Sequence, residues 1–124
     1  MIEHRPWGTY EVLLDKPDHK VKEIYLKPNH RFSLQYHEHR EEHWVVVKGS
    51  GTITQGDGEG TISPGEYAYI PRGTLHRLCG GKEGITLIEV QKGICDEDDI
   101  VRIEDDYGRL EKLLRLDAYS VIQR

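Results

Sequence analysis

Short stretches of alternating, β-branched or aromatic residues follow one another along the chain from residue 10 to residue 91. Clusters of glycine, proline, asparagine and aspartate, which are typical of turns, separate them. The stretches cover residues 10–14, 19–26, 32–39, 43–47, 51–55, 60–62, 67–70, 76–78 and 85–91, and the clusters lie at 27–29, 48–51, 56–58, 63–65 and 80–81. Many short strands at this spacing predict an all-β sandwich or barrel.

The pattern changes near the C-terminus. Residues 96–106 are rich in Asp and Glu, and beyond Gly108 apolar residues recur with a helical period. These apolar positions are Leu110, Leu113, Leu114, Ala118, Val121 and Ile122. They predict one amphipathic helix over residues 110–123, whose apolar face covers either the barrel or a second subunit. We therefore expect a β-barrel domain over residues 1–109 and a C-terminal helical segment over residues 110–124.

Composition narrows the class of protein. A chain of 124 residues is long enough for one domain with its own core. Its 17 basic and 22 acidic residues give a net charge of −5, which argues against binding to nucleic acid. No apolar stretch approaches the roughly 18–20 residues that a membrane helix needs, and the N-terminus lacks the apolar region of a secretory signal. We expect a cytoplasmic protein with a small-molecule partner, and no nucleic-acid or membrane partner.

Four candidate metal ligands lie on separate predicted strands. Gln35 and His37 are two positions apart, so they project from the same face of one strand. Glu42 begins the next strand, and His76 follows a turn before a later strand. Antiparallel strands can direct these four side chains to one interior point. Amide oxygen, carboxylate and imidazole together suit one divalent metal ion, with zinc preferred and iron, nickel, manganese or cobalt as alternatives.

The spacing around these four residues resembles the two sequence motifs of the cupin family. The first motif corresponds to Gln35-x-His37, Glu42 and Gly49, with Gln35 in place of its first histidine and Asn29 in place of its first glycine. The second motif corresponds to Gly65, Pro71-x-Gly73 and His76. The resemblance implies a double-stranded β-helix, or jelly-roll barrel, that holds a metal ion.

One alternative exists within the first motif. His37 and His39 also form a His-x-His pair, which would leave Gln35 out. Counting from His39, however, Glu42 comes too early for the motif. We therefore prefer the pairing of Gln35 with His37, which keeps Glu42 and Gly49 in phase.

Longer stretches resemble the type II mannose-6-phosphate isomerase domain, which is the C-terminal domain of bifunctional guanylyltransferase–isomerases. They are Arg5-Pro6-Trp7-Gly8-x-Tyr10, Leu34-Gln35-Tyr36-His37-x-His39-Arg40-x-Glu42-His43-Trp44, Ile70-Pro71-x-Gly73, His76-Arg77, Ile88-Glu89-Val90-Gln91-x-Gly93 and the segment from Glu97 to Arg109. The resemblance implies metal-dependent interconversion of mannose 6-phosphate and fructose 6-phosphate through an enediolate, by a homodimer. Guanylyltransferase activity is not expected, because the sequence has no glycine-rich nucleotide loop.

Arginines in these stretches are candidates for binding the sugar phosphate, since the guanidinium group matches phosphate geometry. They are Arg5, Arg40, Arg102 and Arg109. Arg40 is preferred, because it lies between His39 and Glu42 and is expected at the mouth of the barrel. An alternative role for Arg102 is an ion pair with the acidic residues of the segment 96–106.

The general base of an isomerase needs a pKa near neutrality. His39 is nearest to the ligands along the chain, and Glu89 is its rival. Lys22 either stabilises the enediolate or covers one face of a strand. Residues 97–99 resemble a second cation site, although a solvated turn is the preferred interpretation.

Two further functions stay open from the sequence. A non-catalytic metallocupin would bind a sugar phosphate or nucleotide sugar for a separately encoded guanylyltransferase. A different cupin enzyme, such as an iron dioxygenase, is the other alternative. Gln35 disfavours the dioxygenase, because three histidines and a glutamate would suit that chemistry better.

Overall fold

The computed structural model describes residues 1–108, which form nine strands of one curled antiparallel sheet. The strands are β1 (Ile2–Arg5), β2 (Gly8–Lys16), β3 (His19–Leu26), β4 (Leu34–Tyr36), β5 (Arg40–Gln55), β6 (Gly58–Ile62), β7 (Tyr67–Ile70), β8 (His76–Gly93) and β9 (Val101–Glu104). Residues 1–108 contain no helix, and therefore none that could span a membrane. The all-β prediction is confirmed, whereas Arg109 and the predicted helix over residues 110–123 lie outside the described residues.

The long strand β8 organises the barrel. Its second half lies between β3 and β5, and its first half pairs with the end of β5 and with β4. Inward-facing residues of β3, β8 and β5 consequently meet in three cross-strand rows, namely Ile24–Leu87–Val46, Lys22–Glu89–Trp44 and Lys20–Gln91–Glu42. All nine side chains are buried. The interior therefore changes from apolar at one end of these strands to charged at the other.

Large apolar side chains fill the apolar end. Leu26, Leu78 and Ile85 are almost completely buried there, and the rings of Trp7 and Phe32 meet edge to face with centroids 4.8 Å apart. Burying one such side chain contributes about 1.5–3 kcal/mol. This end of the barrel supports the fold and leaves the other end available for polar groups.

The glycine clusters at 48–51 and 80–81 do not end strands, so their interpretation as turns is wrong. β5 runs through the first cluster and β8 through the second, and the pairing between them shifts register there. Gly49 has a φ of 76°, and a Cβ at this position would lie 2.2 Å from the carbonyl oxygen of Gly84. The glycines therefore allow two bent strands to approach closely.

Asn29 explains why the first cupin motif tolerates a residue other than glycine. Its φ of 60° places it in the left-handed region, which asparagine adopts more readily than most residues. The Asn29 backbone N–H donates to the carbonyl oxygens of Gly80 and Gly81, at 3.1 and 3.2 Å. The turn thus has a left-handed residue at this position, which glycine and asparagine both adopt readily.

Candidate functional site

His37, Glu42 and His76 converge at the charged end of the barrel interior. One ligand atom from each lies within 4.8 Å of the other two, and all three side chains are buried. β5 directs Glu42 inward, β8 carries His76, and His37 follows β4 directly. Gln35 pairs with His76 in the sheet, which brings the first motif beside the second. The structure therefore brings three of the four predicted ligands together, with Gln35 adjacent.

Hydrogen bonds orient both histidines. His37 Nδ1 donates to the backbone oxygen of Asp99 at 2.6 Å, and His76 Nδ1 donates to that of Thr74 at 2.9 Å. Because a carbonyl oxygen can only accept, Nε2 is the ring nitrogen that each histidine directs to the cluster, and Nε2 of His37 also lies 3.3 Å from Arg40 Nη2. His76 Nε2 is buried with no hydrogen-bond partner among residues 1–108, 3.5 Å from Oε1 of Glu42. These donors fit a divalent metal ion such as zinc.

The electrostatics of the cluster also fit a cation. Burial lowers the pKa of His37 to about 4, so its imidazole is neutral at neutral pH. Burial opposes the ionisation of Glu42, but its contacts with His76, His37 and Arg40 hold its pKa well below the usual range. Burial likewise opposes the charging of His76, yet contact with Glu42 raises its pKa, so a metal ion bound there would displace a proton from His76. An ionised carboxylate and a neutral imidazole are the forms that bind metal.

Gln35 lies beside the three ligands with its amide nitrogen facing them. Its Oε1 accepts a hydrogen bond from Ser33 Oγ at 2.6 Å, and its Nε2 is 3.4 Å from His37 Nε2. Ligation through oxygen requires the amide to turn over. Ser33 Oγ can then accept from the amide nitrogen, since a hydroxyl both donates and accepts.

A cavity of about 170 Å³ opens beside the cluster. It is lined by seven of the predicted site residues, which are Arg5, Lys22, Gln35, Arg40, Glu42, Glu89 and Arg102. Trp7, Tyr10 and Trp44 supply aromatic walls. The predicted base His39 does not line the cavity; its side chain is 57% exposed, with Nδ1 3.4 Å from an Asp99 carboxylate oxygen.

Glu89 lies inside the cavity with both carboxylate oxygens fixed. Oε2 accepts a hydrogen bond from Trp44 Nε1 at 3.0 Å, and Oε1 accepts one from Gln91 Nε2 at 2.7 Å. Burial, together with the negative charge of Glu42, raises the pKa of Glu89 to about 7. A carboxyl group with this pKa can accept and return a proton near neutral pH.

Arg40 is buried and bound to the ligand cluster, which differs from its expected place at the barrel mouth. Its Nε and Nη2 lie 3.1 and 3.0 Å from Oε2 of Glu42, and its Nη1 donates to the backbone oxygen of Asp96 at 3.2 Å. These contacts orient the Glu42 carboxylate. They engage three guanidinium nitrogens of Arg40, which also lines the cavity.

Sequence comparison identifies the family. Residues 2–105 match the model of the family described as "Mannose-6-phosphate isomerase C-terminal". The chain belongs to this family. The match confirms the resemblance to the type II isomerase domain that the motifs indicate.

Two relatives place the mannose-6-phosphate isomerase C-terminal domain within longer proteins. The xanthan biosynthesis protein XanB of Xanthomonas campestris pv. campestris (strain B100) is 47% identical over 108 residues, which cover 86% of this chain and 23% of XanB. A mannose-1-phosphate guanylyltransferase of Klebsiella pneumoniae is 39% identical over 108 residues, again 86% of this chain and 23% of the relative. The chain thus spans about a quarter of the length of these curated relatives.

Solved structures support the barrel fold of this family member. An uncharacterized conserved protein with a double-stranded β-helix domain, from Klebsiella pneumoniae subsp. pneumoniae MGH 78578, superimposes with a TM-score of 0.70 at 20% sequence identity. The superposition covers 81% of this chain and 87% of that protein. The predicted cupin double-stranded β-helix is therefore confirmed.

The acidic segment of this family member contributes contacts that the sequence did not indicate. The Asp99 carboxylate accepts hydrogen bonds from the backbone N–H groups of Glu38 and His39, at 3.0 and 2.9 Å. Glu97 pairs with Lys20 and Lys22. Residues 97–98 do form a turn and Glu97 is 49% exposed, but Glu97 and Asp99 also contact the barrel, which the interpretation as a solvated turn did not include. The sequence contains one indication of these contacts. The predicted strand over 19–26 carries two lysines on its inward face, and buried lysines require acidic partners.

Proposed function

We propose that this chain interconverts mannose 6-phosphate and fructose 6-phosphate, with a divalent metal ion bound by His37, Glu42 and His76, and by Gln35 as a fourth ligand. The observation that carries the proposal is the placing of Glu89, whose pKa is near neutral, in the same cavity as Glu42 of the buried ligand cluster. Membership of the isomerase C-terminal family supports the choice of reaction. The guanylyltransferase activity named for the Klebsiella pneumoniae relative is not carried over, because the matched residues fall in the isomerase family.

Glu89 is the proposed general base. An aldose–ketose isomerisation removes the proton on C2 of the aldose and returns a proton to C1, while a hydroxyl proton moves from O2 to O1. Trp44 and Gln91 hold the Glu89 carboxylate in one orientation, so the same group can serve both carbon atoms. Glu89 is preferred over His39 because it lines the cavity, whereas the His39 side chain is largely exposed.

The ligand cluster is proposed to hold the substrate oxygens beside this base. A divalent ion bound there would supply Lewis-acid stabilisation of the negative oxygen of the enediolate. Arg40 keeps the Glu42 carboxylate ionised and oriented. The backbone oxygens of Asp99 and Thr74 keep each histidine Nε2 directed toward the cluster.

The phosphate group is proposed to lie on the side of the cavity where Arg5 and Lys22 meet the Tyr10 ring, with Arg102 also in the cavity lining. Arg5 Nη2 donates to the Tyr10 hydroxyl at 3.1 Å, and Arg102 pairs with Gln35 across β4 and β9. Arg40 is assigned to Glu42 instead, because three of its guanidinium nitrogens are already engaged there and at Asp96.

The test is turnover by the metal-replete full chain, coupled to the detection of fructose 6-phosphate. Chelation should abolish activity, and added zinc should restore it. Glu89→Gln should lower kcat about 10²–10⁴-fold, the usual contribution of a general base, without changing the metal content. His39→Gln serves as the matched control and should change kcat by less than about threefold.

Two outcomes would overturn the proposal. The isomerase assignment fails if metal-replete protein shows no turnover of mannose 6-phosphate. Binding of the sugar phosphate without turnover would favour the non-catalytic alternative. A loss of activity in His39→Gln equal to that in Glu89→Gln would reject the choice of base.

A further inference from the structure

Two buried lysines of β3 share one anionic partner. Lys20 and Lys22 are 7% and 5% exposed and face the barrel interior on the same side as Ile24. Their ammonium groups both contact Oε1 of Glu97, at 3.2 and 2.7 Å. Lysine is rarely buried unless it is paired, so the two buried lysines require an anion at this position.

Glu97 is an unusual counter-ion for such a pair. It comes from the segment between β8 and β9, and its side chain is 49% exposed although both lysines are buried. A single carboxylate oxygen serves two ammonium groups. Glu97 is the one carboxylate within 4 Å of the two ammonium groups among residues 1–108, at the edge of the cavity that Lys22 and Glu97 both line, while Glu89 is the cross-strand neighbour of Lys22.

The surroundings of the lysine pair suit a larger anion. Lys22 Nζ lies 4.3 Å from the centre of the Tyr10 ring, and the Arg5 guanidinium lies 5.1 Å from the same ring. A phosphate dianion carries more charge than a carboxylate and offers three oxygens, so it can serve each cation separately.

We propose that Lys20 and Lys22 form an anion subsite that Glu97 occupies in the free protein and that the phosphate group of the substrate takes over. This inference rests on the proposed function, since it assigns the phosphate of the same sugar phosphate. The Glu97 side chain rotates outward when phosphate binds. The backbone around it keeps its contacts, since Asp96 is held by Arg40 and Asp99 by His37.

The exchange makes the subsite selective. The Glu97 carboxylate is part of the chain, so it competes with a ligand for the two lysines at a high effective concentration. Only a ligand with more negative charge than this carboxylate displaces it. A phosphorylated sugar meets this condition, whereas a neutral sugar does not. Glu97 thereby disfavours unphosphorylated hexoses without any steric exclusion.

The test compares binding of inorganic phosphate to the full chain and to three variants at constant ionic strength, followed by calorimetry. Glu97→Gln should bind phosphate about tenfold more tightly than the wild type, because the competing charge is removed. Asp98→Asn is the matched control: it removes the same charge from a neighbouring exposed residue and should change affinity less than about twofold. In the double variant Glu97→Gln with Lys20→Met, the gain should disappear.

A second measurement keeps the inference testable if Glu97→Gln does not fold. Lys20→Met alone should weaken the binding of mannose 6-phosphate and of mannose 1-phosphate at least about fivefold. It should leave the weak binding of unphosphorylated mannose unchanged.

The inference is overturned if Glu97→Gln binds phosphate no more tightly than the wild type, or if Asp98→Asn gives the same gain. An unchanged affinity of Lys20→Met for sugar phosphates also overturns it. Binding is measured without turnover, so the two proposals fail separately. Turnover without these affinity changes rejects only the subsite, and the affinity changes without turnover reject only the isomerase.

Discussion

Glu89 shows how its surroundings change the chemistry of one carboxyl group. It belongs to the same buried interior as Glu42, yet the pKa values of the two groups move in opposite directions. Glu42 accepts a hydrogen bond from the Arg40 guanidinium and lies 3.5 Å from His76 Nε2, whereas the hydrogen bonds that Glu89 receives from Trp44 and Gln91 come from uncharged groups. The interior therefore contains one carboxylate suited to binding a cation and one carboxyl suited to carrying a proton.

The raised pKa of Glu89 predicts a pH-dependent difference in stability between the metal-free wild type and Glu89→Gln. Well below pH 4.5 the carboxyl is protonated in both the folded and the unfolded chain. As the pH rises to about 7, the unfolded chain loses this proton first, so the wild type loses up to about 3 kcal/mol of unfolding free energy that the variant keeps. Urea unfolding at several pH values measures this difference.

The variant controls for the other titrating groups. His37 and Glu42 are present in both proteins, so their effects on stability largely cancel in the difference. If the unfolding free energies of the two proteins change equally with pH across this range, the pKa of Glu89 in the folded protein is ordinary.

The spacing of the motifs predicted His37, Glu42 and His76 because each spacing corresponds to a position on a particular strand. The partners of the charged residues were not predictable in the same way. Glu97 lies 77 residues from Lys20 along the chain, and their contact depends on the path of the segment between β8 and β9. The engagement of Arg40 by Glu42 likewise depends on which side chains share the interior.

Strands were predicted well where alternation is strong and poorly where glycine interrupts it. The predicted stretches over 19–26 and 67–70 coincide with β3 and β7 at both ends. The short strands β1 and β9 lack this pattern and were not predicted. Glycine favours turns, but it also permits close approach of two backbones, and sequence alone does not separate these roles.

The bend in β5 predicts a large cost for Gly49→Ala. The new Cβ would require a left-handed φ and would lie 2.2 Å from the carbonyl oxygen of Gly84, which belongs to the paired strand. The loss of unfolding free energy should be about 3 kcal/mol or more. Chemical denaturation of the metal-free protein measures it.

Gly56→Ala is the matched control. Gly56 also has a left-handed φ, of 57°, but apart from its chain neighbours no atom of residues 1–108 lies within 4 Å of the position that a Cβ would take. Its cost should be only about 1 kcal/mol, from backbone conformation alone. Equal losses in the two variants would contradict the role assigned to the close approach at Gly49.

At the scale of the whole molecule, two motifs in the correct order were enough to predict the barrel. Each motif fixes a turn and a ligand on a different strand, and the strand pairing of Gln35 with His76 then brings the motifs together. The homodimer and the division of the chain at residue 109 stay predictions, since both depend on residues or subunits beyond residues 1–108.

Because the ligand cluster ties β5 and β8 to the end of β4, metal binding should stabilise the whole barrel. At a zinc concentration about 100 times the dissociation constant, the gain is about 2.7 kcal/mol, which corresponds to a rise in Tm of roughly 10 °C for a domain of this size. His76→Ala should remove most of this rise. Differential scanning calorimetry with and without zinc measures it.

His43→Ala provides the comparison, because His43 lies on the outer face of β5 and is stacked against Tyr69. It should retain the full zinc-dependent rise even if its metal-free Tm is lower. A rise of equal size in His76→Ala and His43→Ala would show that zinc acts elsewhere on the protein.

The three cross-strand rows of β3, β8 and β5 separate two tasks within one continuous set of strands. Ile24, Leu87 and Val46 hold the strands together, whereas the rows that contain Lys22 and Lys20 face the cavity. Evolution can therefore alter the charged rows, and with them the molecule that is recognised, while the apolar row preserves the scaffold. Substitutions in the charged rows can therefore change ligand specificity while the apolar row keeps the domain folded.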